Sequence, residues 1–148
     1  MQKKDFELIS HTADLQLRVY GITKEELFKN ALIGMFQAIK PINSSCTHKN
    51  ERLICKILPI EHALTITSID QEVLLVDFLS QALTYSDMYN EAYLGVTIQK
   101  LENSSIEALL HGITIDGFEG VEIKAVTYHD LWIKQENNVW VANIVFDI

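Results

Sequence analysis

The chain has 148 residues, the length of one domain, and 48% of them are hydrophobic against 22% charged, which excludes a disordered composition. Twenty acidic residues outnumber twelve basic ones for a formal charge of −8, and no Lys/Arg cluster stands out. A protein that grips nucleic acid through its phosphates carries a basic face, so strong direct RNA or DNA binding is not expected. No segment approaches the roughly 20 apolar residues of a membrane span, and Met1–Phe6 shows lysines without an apolar stretch behind them. The expectation is one soluble, cytoplasmic domain over residues 1–148, with homo-oligomerisation left open.

In chain order, Phe6, Leu8 and Ser10 alternate with Glu7 and Ile9. After His11-Thr12-Ala13-Asp14 the alternation resumes, with Leu15, Leu17 and Val19 opposed to Gln16, Arg18 and Tyr20. This reads as strand, tight connection, strand. Thr23-Lys24-Glu25-Glu26 is a capping box. Leu27, Phe28, Ala31, Leu32, Met35, Phe36 and Ile39 then form a wide apolar stripe at helical spacing, which Pro41 ends. Cys46 and Cys55 lie too far apart for a C-x-x-C motif. Spacing alone permits a disulfide, but a reducing compartment favours two thiols, with Cys55 as a core residue in its apolar run.

Arg52 to Ser68 is β-rich, with Pro59 marking an edge or a break. A second helix follows, capped by Ser68 or Asp70, and carries Leu74, Leu75, Phe78, Leu79, Ala82 and Leu83 on one face. Tyr93–Leu101 and Ile106–Ile115 flank a turn at Asn103-Ser104-Ser105. Asp116–Gly120 is a loop, and Ile123–Ile133 and Val139–Phe146 flank a turn at Glu136-Asn137-Asn138. Along the strand from Ile123, alternation places Ile123, Ala125, Thr127 and His129 on one face and Lys124, Val126 and Tyr128 on the other. Two amphipathic helices packed on a largely antiparallel β-sheet make an α+β fold.

No nucleophile elbow, P-loop, dinucleotide fingerprint, H-E-x-x-H or EF-hand loop is present, which lowers the expectation of a self-sufficient enzyme. Three stretches remain. Asp14, in the tight connection with His11, is either a turn carboxylate accepting backbone N–H groups or an exposed ligand on a rigid scaffold. At the other end, strand character continues to Asp147-Ile148. If Asp14, Asp147 and the α-carboxylate of Ile148 met, each close pair would repel by about 4 kcal/mol at an effective dielectric of about 20. A hard divalent cation would relieve that, because oxygen-only ligands suit Ca²⁺ or Mg²⁺. Spacing leaves open whether the three meet. The third stretch, Val121 to His129, holds Lys124. A strand lysine is ordinarily a solvated edge residue, and Tyr128 and His129 are ordinarily half-buried.

Taken together, His11-Thr12-Ala13-Asp14, Ile123-Lys124-Ala125-Val126-Thr127-Tyr128-His129 and Asp147-Ile148 resemble the archease family. Gly21-x-Thr23-x-x-Glu26-Leu27-Phe28 with Gly34-Met35, and Asp70-x-Glu72-x-Leu74-Leu75-x-x-Phe78-Leu79, fit it too, in the same order along the whole chain; the Gly112–Gly120 region matches less well. The resemblance implies an accessory protein, not an enzyme, that acts on an RtcB-type RNA ligase in tRNA splicing and RNA repair, promoting the ligase's guanylylation and repeated turnover. It implies that Asp14, Asp147 and the carboxylate of Ile148 hold a divalent metal, calcium before others. It places Lys124 at a position linked to ligase activation and sets His11 beside the metal motif. Two other classes stay in view: a small chaperone or protein-interaction module, and a metal-dependent hydrolase using Asp14 or Asp147 with His11.

Overall fold

The computed structural model describes residues 4–10 and 13–148. Strand β1 (Phe6–Ser10) pairs antiparallel with β2 (Asp14–Gly21). Helix α1 (Lys24–Ile39) follows, then a short hairpin of β3 (Thr47–Lys49) and β4 (Arg52–Ile54). Strand β5 (Ile60–Thr67) leads into α2 (Gln71–Tyr89), and the chain closes with β6 (Glu91–Leu101), β7 (Ser105–Thr114), β8 (Ala125–Glu136) and β9 (Val139–Asp147). The expected α+β fold is present, but the β-layer is divided. One sheet has four strands in the order β1-β2-β9-β8, another three in the order β5-β7-β6, and the small hairpin stands apart; every pairing is antiparallel.

The helices fill the space that this division creates. Helix α1 packs on β2 and β6, and α2 on β8, β6 and β7. That explains why α1 buries more than its stripe: Asn30, Gly34 and Gln37 are covered as well. Leu15, Leu17 and Val19 of β2 and Ala142, Ile144 and Phe146 of β9 form the inner face of the larger sheet, all buried. None of the helices in the described residues is long and apolar enough to cross a membrane.

Local signals behave as their chemistry requires, with small corrections. Thr23 caps α1 by accepting from the Glu26 N–H at 3.1 Å, but Glu26 reaches back to the N–H of Ile22 rather than to that of Thr23. Asp70, not Ser68, caps α2, accepting from Val73 N–H at 2.9 Å, while the Ser68 hydroxyl donates to Asp77 at 2.6 Å. Pro59 marks the break between β4 and β5. The expectation of two free thiols is overturned: Cys46 and Cys55 are joined in a disulfide across the base of the β3–β4 hairpin. Both half-cystines are partly buried against the core. Compartment reasoning outweighed a geometry that spacing could not reveal, because nothing in the sequence pairs the start of the β-rich run at Arg52 with Thr47–Lys49.

The Asp116–Gly120 loop is not loose. Glu119, Gly120 and Val121 donate backbone N–H groups to the carbonyls of Lys40, Ile39 and Ala38, so the loop satisfies the exposed C-terminal end of α1. Gly120 allows this approach, since a Cβ there would lie 2.2 Å from the Ala38 carbonyl oxygen.

Candidate functional site

Strand β2 starts at Asp14 and β9 ends at Asp147, and the antiparallel register sets these two residues directly opposite each other. Directly opposed residues share a face, with Cβ atoms about 4.5–5.5 Å apart. Two carboxylates in such a pair repel. One oxygen of Asp14, Oδ1, is buried and, among the described residues, has no hydrogen-bond partner. An ionised oxygen in that position costs free energy unless something positive reaches it.

On the other side of β9, Ala125 of β8 is opposite Asp147, and the Lys124 backbone N–H donates to the Asp147 carbonyl at 2.8 Å. Lys124 thus sits at the same end of the sheet as Asp14 and Asp147, with Asp147 between them. Lys124 and Asp147 are exposed, whereas Ile148 is half-buried and packs on the core. His11 and Thr12 lie outside the described residues. Among the described residues, no group of three or more His, Cys, Asp or Glu side chains could hold a metal ion. Asp14 and Asp147 supply two carboxylates, so a closed oxygen site here needs main-chain or terminal oxygens such as those of Ile148. The orphaned Oδ1 and the all-oxygen donor set fit a hard divalent cation.

The Lys124 stretch departs from simple alternation. Ile123 and Val126 are both buried, because regular pairing begins only at Ala125. Farther along, Thr127 pairs with Val145 and Trp132 with Asn143, so five steps on β8 match two on β9 and three extra residues bulge outward. Tyr128 and His129 are therefore exposed, where half-burial was expected, and Asp130 is exposed with them. The bulge is held, not loose. Asn143, buried, donates to the Asp130 carbonyl at 2.9 Å and accepts from Arg18 at 3.2 Å, Tyr128 donates to Asp77 at 2.8 Å, and Asp130 adopts φ 50. Bulges of this kind re-aim side chains and interrupt an edge strand.

Lys124 also lines a cleft of about 570 Å³ between the C-terminal end of α2 and the segment from Ile115 to Lys124. A second polar cluster escaped sequence reasoning. Buried Glu91 accepts from Tyr93 at 2.8 Å and lies 2.6 Å from His62 Nε2, and the imidazole stacks on Tyr85 and Tyr89. Burial and the neighbouring carboxylate push the Tyr93 phenol well above its ordinary value. No sequence signal pointed to it, since His62, Glu91 and Tyr85 come from three separate elements.

The Archease protein family (MTH1598/TM1083) model matches residues 6–148. The chain belongs to the archease family. It is 35% identical to the protein archease of Thermoplasma acidophilum, covering 97% of this chain and 93% of that one. It is 33% identical to that of Methanosarcina mazei, covering 99% and 98%. The archease fold is shared with two solved structures. The solution structure of Protein 1598 from Methanobacterium thermoautotrophicum has a TM-score of 0.69 and 24% identity, covering 97% of this chain and 99% of that one. The crystal structure of a Thermotoga maritima archease, described as a possible chaperone, has a TM-score of 0.63 and 23% identity over 100% and 98%.

Proposed function

We propose that this archease is an accessory protein, without catalysis of its own, that activates an RtcB-type RNA ligase in trans in the cytoplasm, promoting its guanylylation and multiple turnover in tRNA splicing and RNA repair. The observation that carries the reading is the Asp14–Asp147 register with its orphaned oxygen, beside Lys124. Asp14, Asp147 and the carboxylate of Ile148 would hold a divalent cation, calcium first. Bound there, the ion would supply fixed positive charge for orienting phosphate oxygens.

The chain's own part is positional. Asp14 and Asp147 project from the ends of paired strands rather than from a free loop, so their separation is set by the ladder. Lys124, tethered by its own N–H to Asp147, presents a compact ammonium at the same rim, suited to a phosphate as a point charge. The acidic charge balance suits a basic protein cleft better than bare RNA.

The test compares guanylylation and single- and multiple-turnover ligation by the cognate ligase with GTP, with and without Asp14→Asn or Lys124→Ala. Both variants should fold normally by circular dichroism and both should fail to stimulate. Full stimulation by both would make the acidic pair structural and end the mechanism. A chaperone reading draws on the description of the Thermotoga maritima relative and on isolated exposed apolar residues such as Ile57 and Ile69. Suppression of aggregation of an unrelated protein, undiminished in both variants, would favour it.

A further inference from the structure

The cleft beside Lys124 has apolar walls, including Leu83, Phe118 and Ile123, and a charged rim in which Asp87, Asp116 and Glu122 outnumber Lys124. Its volume of about 570 Å³ lies within the roughly 300–1,000 Å³ of small-ligand sites. Asp87 occupies the last turn of α2, which holds no basic residue. Backbone carbonyls already concentrate negative charge at that end of a helix, so a carboxylate there is unfavourable and a cation is favoured. Among the described residues, none of the three carboxylates makes an ion pair. Places where a local rule is broken without internal compensation are expected to be functional or strained sites.

We propose that this cleft receives a long basic side chain, arginine or lysine, from the protein on which this archease acts. Its alkyl stem lies along the apolar wall and its cationic head among the rim carboxylates and the terminal carbonyls of α2. Lys124 offsets one of the three negative charges and leaves the rim net acidic. Docking here would bring the Asp14–Asp147 end against the partner, since Lys124 joins the two places. The identity of the partner rests on the ligase reading; the preference for a basic side chain does not.

The first arm needs no ligase. The ¹⁵N-labelled full chain is titrated with N-acetyl-arginine amide and with the uncharged citrulline counterpart. Arginine should shift the amides of Asn90, Asp116 and Ile123 at millimolar concentration, citrulline should shift them much less, and Asp87→Asn/Asp116→Asn should abolish the difference. No localised shift, or an equal response to both compounds, overturns the site. The second arm measures affinity for the RtcB-type ligase. The double variant should bind about tenfold more weakly with a flatter salt dependence. Unchanged affinity overturns the ligase as the occupant's source. Should the wild type neither bind nor stimulate the ligase, the ligase reading falls and with it that source, and the titration alone decides the cleft's preference.

Discussion

Arg52 shows how much a single side chain can organise here. Its guanidinium bonds both oxygens of Asp5 at 2.8 and 2.7 Å and lies 4.2 Å over the Phe6 ring, tying β4 to the start of β1. The Arg52 hydrogen bonds hold the Asp5 carboxyl below its ordinary value of 3.8. A carboxyl whose folded-state value is depressed stabilises the fold above the unfolded value, and that contribution disappears as pH falls through the folded one. The urea midpoint should therefore drop as pH is lowered below about 4, and Asp5→Asn should flatten that part of the profile. The pair is partly exposed, so screening keeps the effect modest and 1 M salt should shrink it. An identical acid limb in Asp5→Asn would assign the loss to other carboxyls.

Among the elements, the β3–β4 hairpin was the least legible. Its second strand fell in the β-rich run from Arg52, but Thr47–Lys49 carries no strand pattern, and the hairpin is held by the Cys46–Cys55 disulfide, by Arg52 on Asp5 and by Gln37 of α1. Gln37 behaves as a strand edge, its amide accepting from Leu53 N–H at 2.9 Å and donating to Leu53 C=O at 3.1 Å in a buried setting. Gln37→Ala would orphan both groups, at about 1–3 kcal/mol each, and hydrogen exchange at Leu53 should speed up before exchange in β2 or β9 does. Equal protection in wild type and variant would show that the disulfide holds the hairpin by itself. The two helices were legible because a 3.6-residue stripe and a capping side chain are local. Phe78 and Leu32, fully buried as their stripes require, should each cost roughly 2–5 kcal/mol when truncated to alanine, read from urea unfolding. The β8 bulge was hidden for the opposite reason: Asn143 holds it from a neighbouring strand, and only the left-handed Asp130 hints at it locally.

For the whole molecule, the decisive fact is that the first long strand and the last are neighbours. Periodicity could assign β2 and β9, and two acidic residues flanked those patterns. It could not say that β9 inserts between β2 and β8, because that pairing joins opposite ends of the chain. The proposed cation site exists only when this insertion is complete, so binding and global stability must be linked. An ion that binds only the folded state adds about 2.7 kcal/mol at a free concentration of about 100 times Kd. For a domain of this size that raises Tm by about 5–10 °C. Calcium added to chelator-treated wild type should produce such a rise, and Asp14→Asn should show none. Without metal the sign reverses. Asp14→Asn removes one of two facing charges and a buried carboxylate oxygen that has no partner among the described residues, so its Tm should equal or exceed that of the wild type. Calcorimetric scans of both proteins with and without calcium separate the cases. Equal rises in both proteins would place the ion elsewhere, and a metal-free Asp14→Asn well below wild type would mean that Asp14 stabilises the fold by a contact of its own.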